Sequence, residues 1–356
     1  MKKALIVLLL LALVAGGLFA QISFGAGVAS GLLVAFDESG HTFYTSRWNG
    51  GSAYNYYFGG SYTAESGRAG GSIDFYGEEG GGWDFDGSKI WFKPLDILTL
   101  SGGGGGLGGF GTPGPGGTGN SAADIGVGLS MLLEPMAGFA LGAAVGPVEG
   151  GDVVGNALYA FGLKFAQSGL FDARANLSYN GAGNDGDGQV NAAAGVSISA
   201  LSNIAGLGIS ANIRANNVTK FADKAEVTAG AQVGFKAGDL GTTLATRLFL
   251  PLGSKSTLNA AVGVDLSYPI GAATANLGVG YVLKGAVEGS GKFNPGRWDA
   301  IPIGFSELNS GALAINPYIN FKVADVALRV GYGLATNIGG TSKTKHEIYT
   351  GAAIDF

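Results

Sequence analysis

In residues 311–334, GALAINPYINFKVADVALRVGYGL, two runs of alternation meet at a two-residue turn. Leu313, Ile315, Pro317, Ile319, Phe321 and Val323 recur at every second position, with Ala314, Asn316, Tyr318, Asn320 and Lys322 between them. After Ala324 and Asp325 the pattern resumes, with Val326, Leu328, Val330, Tyr332 and Leu334 set against Arg329, Gly331 and Gly333. Successive strand side chains point to opposite faces. Both runs therefore predict strands with one apolar face and one polar or glycine face, joined antiparallel.

The same two-residue period recurs in 171–179, 258–268, 273–284 and 345–356. A soluble β-sandwich also alternates, so the connections have to separate the two folds. Short links at 134–136, 167–169, 238–239, 269–271 and 324–325 alternate with long polar ones at 37–52, 103–122, 181–188, 217–223, 285–307 and 338–343. Tight turns at one end and long loops at the other suit an up-and-down barrel in an outer membrane. The Greek-key connections of a sandwich would not sort loop lengths this way. Counting segments predicts an all-β, antiparallel transmembrane barrel of about eighteen strands, or sixteen if 70–102 is divided differently.

Composition agrees. Of 356 residues 67 are Gly, 46% are hydrophobic and only 13% are charged, with mean hydropathy +0.28. Soluble domains carry roughly 25% charge. Disordered glycine-rich chains lack large apolar residues, and no three-residue collagen period is present. Lys2, Lys3 and the apolar run Leu5–Leu13 predict a signal peptide over 1–20, leaving 21–356 as the barrel. With no cysteine, disulfides and thiolate metal sites are excluded. Without Lys2 and Lys3, 19 basic residues face 26 acidic ones, a net charge of −7 that argues against a nucleic-acid partner.

Aromatics mark the strand ends. Phe24, Phe92, Phe165, Phe171, Phe235, Tyr268, Phe321 and Phe356 are expected at one membrane interface, and Phe36, Tyr54, Tyr56, Tyr179 and Tyr281 at the other. The last strand is expected to close against the first, because an open edge has no partner in lipid. With its alternation and terminal Phe356, this segment resembles the last strand of the outer-membrane porin family. The resemblance implies that Ile348, Ile354 and Phe356 are read by the barrel-assembly machinery, and that homotrimers form. KIWFKPLDILTLSGG (89–103) and the opening AQISFGAGV look like spirochaete-type members.

The lumen carries the functional signal. The alternation phase turns Lys164, Arg174, Arg214, Lys236, Arg247, Lys284, Lys322 and Arg329 inward, together with Asp124, Asp172, Glu226 and Asp265. Charges at membrane depth are costly unless they face water or each other, and rings of them set selectivity in pores. Lys93, Asp74, Asp325, Glu347 and Asp355 share that phase, so nine basic residues face eight acidic ones, and this near balance of sign predicts weak selectivity. Sixteen to eighteen strands leave an aqueous channel. The expected function is passive diffusion of small hydrophilic solutes and ions across the outer membrane, with lipid as surroundings and no cofactor or metal. A non-conducting surface barrel serving as adhesin or scaffold is the second reading, and a barrel hydrolase using His41 or His346 the third.

Other motifs carry less. The run SGGGGGLGGFGTPGPGGTG (101–119) contains G-x-G-x-x-G at Gly104, Gly106 and Gly109, but a strand pattern follows where a dinucleotide site needs a helix. It is expected as a flexible loop, the alternative being a fold into the lumen. NDGDG (184–188) lacks the Glu that completes a calcium loop and suits a turn. His41 is expected in the first long loop and His346 near the outer rim.

Overall fold

The computed structural model describes residues 20–37, 40–45, 56–77, 83–104, 107–114, 127–147, 157–181, 189–199, 207–218, 225–252, 258–284, 311–338 and 344–355. The expected signal peptide lies outside these apart from Ala20, as do Asp124, the 184–188 motif and Phe356.

Almost every described residue belongs to a strand or a tight turn. The strands are β1 (Ala20–Asp37), β2 (Gly40–Thr45), β3 (Tyr56–Ala64), β4 (Ala69–Gly77), β5 (Trp83–Leu95), β6 (Leu98–Gly104) and β7 (Val127–Met136). Then follow β8 (Phe139–Pro147), β9 (Ala157–Gln167), β10 (Phe171–Asn180), β11 (Gln189–Ile198), β12 (Gly208–Asn216) and β13 (Glu226–Ala237). The last six are β14 (Leu240–Pro251), β15 (Asn259–Ile270), β16 (Ala273–Lys284), β17 (Ala312–Val323), β18 (Val326–Asn337) and β19 (Thr344–Asp355).

Each strand from β3 onward pairs antiparallel with the next, and β1 closes the ring on β19 from Gly27 opposite Asp355 to Phe36 opposite His346. One part of β1 pairs with β3, Ala20 facing Ala64, and the other with β2, Asp37 facing Gly40. β2 and β3 thus share one position, and nineteen segments make an eighteen-stranded barrel. Closure satisfies the backbone groups at membrane depth, where no water is available to do so. The expected loop at 37–52 is corrected here: residues 40–45 are strand, because this end of β1 needs a partner on that side.

The phase follows from exposure. Phe24 (60% exposed), Ile90 (71%) and Leu129 (67%) stand on the outer face, where lipid replaces water. Phe92, Phe165 and Tyr268 are exposed on the same face, and the Phe165 ring meets Phe171 edge-on with centroids 5.2 Å apart. At the loop end, the outward rings of Tyr159 and Tyr179 stack with centroids 6.4 Å apart. The interfacial belts follow from amphipathic and aromatic rings preferring the headgroup boundary.

The short turns sit at one end: 65–68, 96–97, 137–138, 168–170, 238–239, 271–272 and 324–325. Gly238 (φ 62°) and Gly271 (φ 59°) adopt the left-handed conformation that such turns require, and Ala324 (φ 51°) adopts it without being glycine. The link expected at 134–136 falls at 137–138 instead, because a register irregularity between Leu133 and Met136 lengthens β7.

Candidate functional site

Facing inward along β8 to β12 is a row of small and polar residues: Gly142, Gly162, Asn176, Ala193 and Arg214. Beside it run Ala140, Lys164, Arg174, Gly195 and Asn212. Across these rows lies the segment Leu107–Gly114, which includes a 3-10 turn at Gly108–Phe110. It forms a strap crossing the inner face of five strands. The expectation of a flexible loop over 101–119 is corrected here: within it, 101–104 end β6 and 107–114 are seated on the wall.

The seat explains the wall's composition. Leu107 (3% exposed) and Phe110 (4%) pack against Ala140, Ala144 and Ala160. A methyl group at Gly142 would come within 2.6 Å of the Phe110 ring, and one at Gly162 would overlap that ring. At Gly195 it would meet the Pro113 carbonyl oxygen at 2.6 Å. Gly114 lies against the amide of Asn212 on β12. Burying the two large side chains contributes about 1.5–3 kcal/mol each.

Polar contacts fix the strap's height. Arg174 donates through one terminal nitrogen to the carbonyl oxygens of Gly109 (3.3 Å) and Gly111 (3.1 Å). Its Nε and other terminal nitrogen donate to both carboxylate oxygens of Asp172, at 2.9 and 2.5 Å. The buried Asn176 donates from Nδ2 to the Phe110 carbonyl at 2.9 Å. Two side chains on alternate positions of β10, Arg174 and Asn176, thus clamp one turn of the strap, and Asp172 orients Arg174. A bidentate arginine–carboxylate pair also fixes geometry.

β19 stands nine positions from β10 in the ring of eighteen, directly across the lumen. On its neighbour β18, Gly331 leaves room for the Tyr349 ring, which a methyl group there would overlap. The Tyr349 hydroxyl donates to Oδ1 of Asn316 at 2.9 Å. Arg329 donates to Asn320 at 2.7 Å and sits 5.1 Å from the centroid of the Tyr318 ring. Glu347 is buried (1% exposed), with one carboxylate oxygen meeting no donor among the described residues.

The twelve side chains expected inside are distributed around this frame. Arg174 holds the strap and is itself held by Asp172. Lys164 is cross-strand neighbour to Arg174, and Arg214 lies two residues from Asn212, with two of its nitrogens lacking an acceptor among the described residues. Arg247 is inward but only 7% exposed. Glu226 accepts a hydrogen bond from Asn216 at 2.6 Å. Lys236, Asp265, Lys322 and Arg329 follow the inward phase on β13, β15, β17 and β18. The side chains of Lys284 and the whole of Asp124 lie outside the described residues. Asn176, Asn212, Asn316, Tyr318 and Tyr349 complete the polar lining. Their inward phase was legible in the alternation, but their roles depend on glycines across strands.

Both histidines face outward. His41 is in β2, not in a loop, and it and His346 flank Phe36 in one cross-strand row. The Tyr332 hydroxyl lies 2.6 Å from His346 Nδ1. Ile348 (52% exposed) and Ile354 follow the outward phase of β19.

No protein-family model and no curated protein matches the chain. Solved structures do. The chain is similar to the outer-membrane porins OccD3 (OpdP), OpdO and OprD of Pseudomonas aeruginosa. For OccD3 the TM-score is 0.55 at 10% identity, covering 94% of this chain and 91% of that one. For OpdO the values are 0.55, 10%, 94% and 97%, and for OprD 0.53, 11%, 94% and 96%. At these identities the likeness establishes the fold, a closed antiparallel barrel of porin architecture.

Proposed function

We propose that this protein is an outer-membrane porin through which small hydrophilic solutes and ions diffuse passively. The observation that carries the reading is the division of one closed wall into a greasy outer face and a charged, hydrogen-bonding inner face, narrowed on one side by the strap. Inward charges at membrane depth make sense facing water, and an eighteen-stranded barrel is wide enough to hold it.

Within this reading Lys164, Arg214, Lys236, Arg247, Lys322, Arg329, Glu226 and Asp265 line the pore, with Asp124 and Lys284 assigned to it by alternation. Arg174 and Asp172 contribute little field, since each neutralises the other. With Lys93, Asp74, Asp325, Glu347 and Asp355 assigned to the same face by alternation, eight basic residues stand against seven acidic ones, and this near balance gives weak ion selectivity. The signal peptide over 1–20 delivers the chain across the inner membrane, and the barrel-assembly machinery reads Ile348, Ile354 and Phe356. A homotrimer and a spirochaete-type lineage complete the proposal on family resemblance.

Reconstitution into a planar bilayer tests it. Stepwise current increments in simple salt, with comparable cation and anion permeability, are the expected result. Purified barrel that inserts yet stays electrically silent would overturn the reading in favour of a surface scaffold.

A further inference from the structure

Among the described residues, three hollows of about 520 to 620 Å3 open on the outer face among residues such as Ala143, Ala175, Ala194 and Ala211, where lipid fills them. One hollow of about 340 Å3 lies instead on the inner wall, spanning β12 to β17 toward the short-turn end. Two adjacent cross-strand rows build it. The first runs Gly208, Gly234, Thr243, Asp265, and the second runs Lys236, Gly241, Ser267, Asn276, Tyr318. Gly208, Gly234 and Gly241 make a floor of bare backbone. Tyr318 closes one end. The described part of the strap reaches Asn212 of β12 at Gly114, and the hollow begins four residues along the same strand, at Gly208.

Its rim offers an ammonium (Lys236), a carboxylate (Asp265), two hydroxyls (Thr243, Ser267) and a carboxamide (Asn276). Asn276 already donates from Nδ2 to the Thr274 carbonyl at 3.0 Å, so it presents its carbonyl oxygen as an acceptor. A charged solute of either sign is attracted by one end of this rim and repelled by the other. Hydroxyl groups both donate and accept, so a solute bearing several engages every rim group without a charge mismatch. The volume is at the small end of small-molecule sites.

We infer that this hollow is a weak binding station for small, uncharged, polyhydroxylated solutes such as monosaccharides and polyols. The inference rests on the porin reading and narrows it to a solute class.

Glucose added to single channels in a planar bilayer tests it. The expected result is a reversible, saturable reduction of ion current. Asp265→Ala weakens the apparent glucose affinity about two- to ten-fold, the worth of one hydrogen bond, whereas outward-facing Thr246→Ala leaves it unchanged. Full salt conductance indifferent to glucose would overturn the inference and leave the porin reading standing. So would current reduction by zwitterionic amino acids without any by glucose. If the channel is silent, the porin reading fails, and saturation-transfer NMR of glucose with the detergent-solubilised barrel decides the station separately: absence of transfer overturns it.

Discussion

Arg174 and Asp172 lie two residues apart on β10, point to the same side of the wall, and share two hydrogen bonds of 2.9 and 2.5 Å. The remaining terminal nitrogen of Arg174 reaches past this pair to the backbone of Gly109 and Gly111. A side chain that sequence phase alone assigns to the pore's field is therefore occupied in holding the strap. Charge-assisted hydrogen bonds of this kind contribute about 1.5–3 kcal/mol each when partly shielded from water.

Removing the clamp should free the strap. Arg174→Ala is expected to raise single-channel conductance and to broaden its distribution, and Arg174→Lys to do so less. Asp172→Asn is expected to fall between wild type and Arg174→Ala, because Arg174 keeps its contacts to Gly109 and Gly111. Current recordings of the variants in identical salt check the order.

The strap is also sensitive to the wall beneath it. Gly162→Ala places a methyl group closer to the nearest carbon of the Phe110 ring than van der Waals contact allows, and overpacking typically costs about 1–3 kcal/mol. Conductance should rise as Phe110 is displaced, and the double variant Gly162→Ala with Phe110→Ala should fold more stably than Gly162→Ala alone. The temperature at which the barrel loses its compact mobility in a detergent gel reports the second effect.

Across the lumen, Tyr349→Phe removes the hydrogen bond to Asn316 and leaves a buried amide oxygen short of a donor. The expected loss is about 1–3 kcal/mol. Gly331→Ala should be worse, since the methyl group overlaps the ring itself. Thermal unfolding in detergent, followed by gel mobility, orders the two.

The in–out phase is testable with one residue type. Val330→Arg places a charge on the lipid face of β18, at a cost of about 2–4 kcal/mol near the bilayer midplane. Thr243→Arg places the same charge on the inner face of β14. The first is expected to lower the yield of folded barrel in liposomes sharply and the second mildly. Equal yields would contradict the assignment.

Much of this fold was written in alternation. In β17 and β18 the apolar residues from Leu313 to Leu334 give both phase and turn, and the observed elements differ from the expected ones by a few residues at most. Where register irregularities occur, as between Asp74 and Phe75 or Leu133 and Met136, an added residue shifts a boundary in a way that a strict two-residue period cannot register. β2 was missed because six residues between polar stretches carry too few alternations to rise above a loop. The strap was read first as a flexible loop, with the fold into the lumen only as the alternative, for a different reason. Its own residues are glycines, Thr112 and Pro113 with two apolar anchors, which is also the composition of a flexible link. What seats it is the absence of side chains at Gly142, Gly162 and Gly195, on three other strands. The hollow beside it was hidden in the same way, since its two rows draw on six strands.

The trench under the strap has a consequence for assembly. It exists only when β8 to β12 already lie side by side, because no single hairpin supplies more than part of its floor. Docking of 107–114 therefore has to follow closure of that sector. A barrel in which that sector has formed but 107–114 has not yet docked has a wider bore there, which the strap then narrows from within.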